Sequence, residues 1–502
     1  MIRAHKTLVI GGGASGLAAA ADLSRAGSQV CLIDSGVEPG GKMRQLSSGG
    51  QSIDAGPTVF TMRWVFEELF ANSGANFDER VAAEPARILA RHAWTERGQL
   101  DLHADLDASA RAISTFAGAA DARGFHAFIQ HAADNYRVLR DSFMTQQQPN
   151  VLSLAARVGL AQIPKLLATR PHKTLANQIA QYFSDPRLIQ LFGRYATYVG
   201  SSPYQCPATL MLIAHVEQDG VWQLPGGMRS LAKAMSDLSV SQGAQHIYEH
   251  AVINLSRSQN RTWLAHLDSG ETLEAHAIVY AGDCNALATG MLGDQVASAV
   301  TRRPIQKRGL SAITWCVVAK TAGFELDYHN VFFADHYQRE FQAIFKAQQL
   351  CEQPTVYVCA QDRVAGQRIE GPERLLILIN APPVGDLSVS QQPDVDDAWN
   401  RACRVMSACG LQLDIQTPAV ATGPSGFEHL FPAGGGGLYG AASHGMMASF
   451  SRPASRSRIK NLYLAGGSVH PGPGVPMATL SGRLAAEALI EDTPFLERVW
   501  QR

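Results

Sequence analysis

Three glycines and one acid carry the clearest chemistry in this chain. Gly11, Gly13 and Gly16 stand within Gly11-Gly12-Gly13-Ala14-Ser15-Gly16, and Asp34 follows eighteen residues after the last of them. The spacing is that of a phosphate-binding turn. Gly11 permits a tight bend, and Gly13 has no Cβ to hold a pyrophosphate away from the backbone. Gly16 lets a helix lie close to a strand. Ala14 and Ser15 open that helix, whose free N–H groups and positive dipole end attract phosphate oxygens. Asp34 can accept hydrogen bonds from ribose hydroxyls, and its charge would repel a 2′-phosphate, which argues against NADP.

Such a motif is weak evidence in a chain with 45 glycines, so the elements around it decide. Lys6 to Ile10 is a short apolar run with strand character. Leu17 to Ala26 reads as an Ala-rich helix that Gly27 is placed to end. Ser28 to Ile33 is a second strand, closed by Asp34. Strand, glycine turn, helix, strand and acid together predict a dinucleotide-binding βαβ unit.

The other end of the chain repeats the theme. Asn461 to Gly467 is a strand running into glycines, Ser468 to Met477 is a turn-rich loop, and Ala478 to Ile490 reads as a helix. Close-approach glycines and a fresh helix N-terminus make a second polar cradle. Two cradles at opposite ends suggest one large cofactor held by both. FAD suits this better than NAD, because its isoalloxazine lies well away from the pyrophosphate. In Glu38 to Arg44, two glycines before a basic residue suggest a loop passing close to a ligand, with Lys42 or Arg44 near a phosphate and an ordinary glycine turn as the plain alternative. Asp54-Ala55-Gly56-Pro57-Thr58 is a turn after a short strand.

Composition bounds the rest. With 502 residues the chain exceeds one compact core. Net charge of −1 gives no field that would draw nucleic acid, and no nucleic-acid partner is expected. Charged residues are 17% against a usual value of roughly 25%, which fits a large apolar cavity or an apolar surface. The eight cysteines form no CxxC pair and indicate neither a metal site nor a disulfide framework. The N-terminus lacks the layout of a signal peptide, and no apolar run approaches about 18 residues, so membrane contact would be peripheral.

From Ser142 to Ser184 there is no Asp or Glu, while Arg157, Lys165, Arg170 and Lys173 stand among Val151, Leu152, Leu154, Val158, Leu160, Ile163, Leu166 and Leu167. A basic amphipathic segment suits an anionic membrane surface, and a surface helix that merely lacks acids is the bland alternative. Strand-rich texture returns near residue 215. The expected organisation is 1–75, 215–300 and 445–502 for the cofactor domain, 76–214 for a helical, membrane-facing substrate part, and 301–444 for the rest of the substrate domain.

The order GGGASG, PGGK, DAGPT and a C-terminal NLYLAGGSVHPGPGVPMATLSGRLAAEAL resembles the phytoene desaturase family of FAD-dependent carotenoid desaturases, from end to end. RYATYVGSSPYQCPATLMLIAHVEQDGVWQLPGGM, HNVFFADHYQREF, PTVYVCAQDR and FPAGGGGLYGAASHGMMASFSRP are similar to the bacterial hydroxyneurosporene (methoxyneurosporene) desaturases within it. The resemblance implies an α/β fold, with a Rossmann-like FAD domain of the glutathione-reductase/amine-oxidase type, a mixed-sheet substrate domain and a helical membrane-facing part. It places Gly11, Gly13 and Gly16 on the pyrophosphate, Asp34 on the ribose, and Gly41 and Lys42 on the phosphate side. Gly56, Pro57 and Thr58 would approach the flavin ring, and Val252 would offer backbone to the adenine. Gly466 and the turn of Val475, Met477 and Ala478 would hold the ribityl chain and flavin O2.

The implied reaction removes two hydrogens across C3–C4 of an acyclic 1-hydroxycarotenoid: a hydride to flavin N5, then a proton from the neighbouring carbon. Positive charge spreads over the polyene, so alignment can do much of the catalysis without a strong base. Tyr439, His444 and His470 lie in or beside glycine-rich loops that should face the flavin, and are weak candidates for a catalytic group. The final electron acceptor, oxygen or a quinone, stays open, and the expected place is the cytoplasmic side of the inner membrane, held peripherally. A phytoene or carotene desaturase, or a carotenoid isomerase, is the nearest alternative. An amine oxidase would need an aromatic cage, where these loops are glycine- and histidine-rich. A flavin-free lipid-escort protein of the same fold would not need two intact cradles.

Overall fold

The computed structural model describes residues 5–95, 98–159 and 163–500. Strand β1 (Lys6–Ile10) sits at the centre of a five-stranded sheet. It pairs in parallel with β2 (Gln29–Ile33) on one side and with Ala277–Tyr280 on the other. Leu462–Leu464 and Gln245–Ile247 complete the two edges, also in parallel. Three separate stretches of chain therefore build one sheet.

Helix α1 (Ala14–Arg25) covers one face of this sheet. Leu17, Ala18, Ala19, Ala20, Ala21 and Leu23 are all fully buried. Alanine side chains let the helix be enclosed on every side, between the sheet and the C-terminal helix Val475–Glu491. The two helices meet where a Cβ on Gly482 would lie 2.0 Å from the Ser15 carbonyl oxygen. Buried Asp22 on α1 pairs with Arg483 of the C-terminal helix at 3.2 Å.

The second layer is a mixed eight-stranded sheet. Its order is Leu411–Ile415, Ser311–Gly323, Glu373–Ala381, Val356–Ala360, His329–Phe333, Ile88–Trp94 and Gly98–His103, with Val420–Thr422 also on Ser311–Gly323. Alternation along the long strand splits two cores. Ile313, Trp315, Val317 and Ala319 pack with Ala398, Ala402, Val405 and Met406 of helix Val395–Ala408, whereas Cys316 and Val318 pack toward Ile53 and Ala55. Trp94, Val331 and Phe333 face the helical layer that begins at Leu106.

The expected boundaries differ from this arrangement in two places. Residues 76–214 are not wholly helical, because Ile88–Trp94 and Gly98–His103 complete the edge of the mixed sheet. The expected break at 214/215 falls inside helix Leu212–Asp219. The acid-free segment forms helices Val151–Val158 and Ile163–Ala168; Leu160 and the side chains of Val151, Ile163 and Lys165 lie outside the described residues. Among the described residues, no helix is long and apolar enough to cross a membrane.

Candidate functional site

The parallel sheet ends its strands at Gly11, Asp34, Ala281 and Ala465, so the turns that follow gather along one edge. This is where doubly wound sheets bind ligands. Each glycine of the first turn has its own reason. Gly11 has φ +111°, a conformation that favours glycine. A Cβ on Gly16 would lie 1.8 Å from the Gly11 carbonyl oxygen, so helix and turn could not close. Gly13 has an ordinary φ of −77°, and a Cβ there would meet nothing nearer than the Gly40 carbonyl oxygen at 4.0 Å. Nothing in the protein demands glycine at 13; the space in front of it does. A pyrophosphate laid against this backbone fits that space.

Asp34 organises the turn as well as facing it. Its carboxylate accepts from the Gly12 N–H and, at 2.7 Å, from the Gly36 N–H. It remains half-buried, with lone pairs left for ribose hydroxyls. Gly40 donates to the Gly12 carbonyl at 2.9 Å, which brings Gly41 against Gly13. Val252 opens the antiparallel pair with Trp263–Leu267, and its side chain packs with Leu8, Ile10 and Ile33 beneath the Asp34 end.

The C-terminal turn lies against the first. Gly466 has φ +115°, and a Cβ on it would meet Ser15 Oγ at 3.6 Å. Its N–H donates to Ser481 Oγ at 3.1 Å, and that hydroxyl donates to the His470 carbonyl at 2.8 Å. Gly474 precedes the C-terminal helix and accepts from the Ala478 N–H at 2.8 Å. Val475, Met477 and Ala478 keep accessible surface at the helix start. The two turns that stand more than 450 residues apart in sequence form one cleft.

Two of the expected cofactor residues also have close protein contacts. Lys42 is half-buried, and its ammonium donates to the Leu438 carbonyl at 2.6 Å. Burial pushes its pKa down, with Asp283 acting the other way. Gly56 is fixed by protein, since a Cβ there would lie 1.8 Å from the Lys42 carbonyl oxygen. Pro57 and Thr58 retain accessible surface beside it.

Arg452 was not foreseen. It is 5% exposed and pairs with no carboxylate among the described residues. Its guanidinium instead donates to the carbonyls of Tyr439 (3.3 Å), Gly467 (3.0 Å) and Ala441 (2.9 Å). Burial lowers its pKa to about 10. Lys42 and Arg452 therefore tie the loop 438–443 to the 38–44 loop beside the first turn and to the C-terminal turn. No motif marks Arg452; a single Arg after a glycine-rich loop was the one available signal.

Beside that loop three half-buried tyrosines come together, Tyr357 near Tyr198 and Tyr439 against Gly200, and the space in front of them we call the hollow. Tyr198, Tyr357 and Tyr439 lie deep in the molecule yet keep accessible surface. Tyr198 donates to buried Glu217, which also accepts from Tyr195 OH at 2.5 Å. Tyr357 OH lies 2.6 Å from Thr58 Oγ1 and 2.6 Å from His329 Nδ1. Aromatic side chains are gathered here from three distant segments, Tyr439 from the glycine-rich loop itself and Tyr198 and Tyr357 from a short helix and a strand outside it.

The three candidate catalytic groups separate clearly. His470 is fully buried, and its Nε2 lies 3.0 and 2.9 Å from the carbonyls of Phe143 and Gln146; it holds the helical layer and is not available at the cleft. Burial lowers its pKa to about 4, so it is neutral. His444 Nε2 accepts from the Ser202 N–H at 3.0 Å, and its ring meets Phe345. Its pKa is likewise lowered to about 4 by burial. Tyr439 is half-buried with no hydrogen-bond partner for its hydroxyl among the described residues, and burial pushes its pKa up to about 12. A shallow groove of about 610 Å³ lined by His126, Gln130, His215 and Gln218 lies on the helical layer, away from the strand ends.

Fold and cleft define a flavin-dependent oxidoreductase. The chain belongs to the flavin containing amine oxidoreductase family, whose model matches residues 14–490. FAD is the cofactor, and the residues around Gly13 and Gly466 fit it. Among curated proteins, the chain is 46% identical to a hydroxyneurosporene desaturase of Rubrivivax gelatinosus, over 97% of this chain and 94% of that protein. It is 30% identical to a 1-hydroxycarotenoid 3,4-desaturase of a Flavobacterium species, over 96% of this chain and 99% of that protein. The fold is shared with an oxidoreductase from Methanosarcina mazei at a TM-score of 0.59, with 14% identity and coverage of 97% and 100%.

Proposed function

We propose that this chain dehydrogenates the C3–C4 bond of an acyclic 1-hydroxycarotenoid such as 1-hydroxyneurosporene. The observation that carries the reading is the end-to-end 46% identity to the Rubrivivax protein. The hollow supports it. Tyr198, Tyr357 and Tyr439 give it broad apolar faces next to both cradle turns, suited to a polyene end, and the neighbouring histidines are neutral or committed. Bound flavin supplies the hydride acceptor. The protein's part is to align the bond, exclude water and surround a delocalised cation with aromatic faces.

Long carotenoids reside in membranes, and the surface offers a landing place. Leu152 (82% exposed), Leu167 (68%), Met446 (50%) and Met447 (48%) are uncovered apolar side chains. Phe450 packs on the helix carrying Leu154 and Val158, which puts the loop after His444 beside the acid-free helices. Arg157, Arg170 and Lys173 add positive charge there. This supports peripheral docking, read as the cytoplasmic face of the inner membrane, with oxygen or a quinone reoxidising the flavin.

The test is incubation of flavin-loaded protein with 1-hydroxyneurosporene and with neurosporene in liposomes. A product chromophore longer by one double bond is expected from the hydroxylated substrate alone. Comparable turnover of both would return the reading to a general carotene desaturase.

A further inference from the structure

The three tyrosines of the hollow differ in what their hydroxyls do. Tyr198 OH is bound to Glu217 and, at 3.2 Å, to Arg194. Tyr357 OH sits between Thr58 and His329. Tyr439 OH has no hydrogen-bond partner among the described residues, and it is not packed away from the hollow as the orphaned hydroxyl of Tyr337 is. A hydrogen-bonding group is thus held ready at one place in an otherwise satisfied wall.

Its position is rigid. A Cβ on Gly200 would lie 2.5 Å from Tyr439 Cβ, and one on Gly309 would lie 3.4 Å from it, so two glycines close on the base of the side chain. The Tyr439 carbonyl accepts from Arg452, and the Leu438 carbonyl before it accepts from Lys42. A Cβ on Gly440 would lie 2.8 Å from Ser468 Cα, which sets this loop directly against the C-terminal cradle. Tyr439 therefore stands beside the C-terminal cradle turn.

On the reading proposed above, that is where a hydroxyl reader has to be. The substrate hydroxyl sits on C1, one carbon removed from C3, so the protein cannot hold C3–C4 for reaction without also holding the hydroxyl a few ångström away. A buried alcohol without a partner is costly, and a site built to bond one rejects the analogue that lacks it far more strongly than an apolar pocket can.

We propose that Tyr439 is the specificity-determining residue of this site, its hydroxyl bonding the C1 hydroxyl of the substrate and so selecting hydroxylated over unhydroxylated carotenoids. At neutral pH the phenol is protonated and can donate or accept, as can the alcohol.

The experiment uses flavin-loaded full-length protein in liposomes and reads the ratio of kcat/KM for 1-hydroxyneurosporene to that for neurosporene. Tyr439→Phe should lower the ratio on the order of 10- to 100-fold, chiefly through the hydroxylated substrate. Its flavin content and melting midpoint should match the unaltered protein, because the lost hydroxyl has no protein partner. His444→Gln, the rival polar residue, should keep the ratio. An unaltered ratio in Tyr439→Phe, or a collapse in His444→Gln alone, overturns the assignment while leaving the proposed reaction standing. An unsubstituted protein that turns over neither substrate, or both equally, overturns the reaction itself and this assignment with it.

Discussion

In the cradle the chain withdraws its side chains, and in the hollow it extends them. Around Gly11 to Gly16 and Gly466 to Gly474 the contact surface is backbone, and the helix behind it is alanine. In the hollow the surface is three tyrosine rings carried by a short helix, a strand and a loop. The first kind of site recognises pyrophosphate by N–H groups whose positions are set by local backbone geometry. The second recognises shape and one polar point, with positions set by packing between distant segments. Changes in the cradle should therefore act on folding or loading as a whole, and changes in the hollow on choice of substrate.

The sharpest way to break that contrast is within the cradle itself. Gly16→Ala drives a Cβ into the Gly11 carbonyl and should leave no folded protein, read by circular dichroism and thermal melting. Gly13→Val puts its side chain into open space, so it should fold normally and purify without flavin colour. A yellow Gly13→Val protein with full flavin content would remove the cradle assignment.

Next in size is the acid limb. His470 titrates near 6.5 when unfolded and at about 4 when folded, so native protein binds fewer protons between those values. Stability from this residue is complete above pH 6.5, falls as pH drops toward 4, and is then lost by roughly 3 kcal/mol. His470→Gln, which keeps a donor for the Phe143 and Gln146 carbonyls, should flatten that limb in pH-dependent denaturant melts. A limb of unchanged slope would show that other buried groups set it.

Smaller again is Arg452→Met. It removes the donors from the Tyr439, Ala441 and Gly467 carbonyls and should cost about 1–3 kcal/mol, with hollow and cradle both disturbed. Loss of flavin affinity without any change in substrate selectivity would show that the staple serves the cradle alone. Smallest per residue is single replacement of Arg157, Arg170 or Lys173 by Gln, each of which should weaken co-sedimentation with anionic vesicles by about 1 kcal/mol. Equal sedimentation would take this surface out of docking.

What the sequence disclosed follows the same division. The βαβ unit is local: a strand, a positive-φ turn, an alanine helix and an acid lie within thirty or so residues, and each imposes its own residue types. The C-terminal cradle reads the same way. The partner of Lys42 was not legible, because a basic residue after two glycines says nothing about the carbonyl of Leu438, which lies 396 positions away. Tyr198 and Tyr357 were missed because a tyrosine on a strand or short helix looks like core until the partner wall is known. The hairpin at 88–103 was hidden in a stretch whose dominant period is helical, since the strand that docks it into the sheet, His329–Phe333 on Ile88–Trp94, comes more than 200 residues later.

Lys42 and Arg452 join two binding events to one piece of chain. The loop 438–443 is tied to the 38–44 loop and to the C-terminal turn, and presents Tyr439 to the substrate. Thermodynamic reciprocity then applies: by whatever factor cofactor occupancy tightens the hold on the carotenoid, carotenoid occupancy must tighten the hold on the cofactor. The rate at which the protein sheds flavin colour on dilution, with and without carotenoid, then reads out the sign and size of that factor.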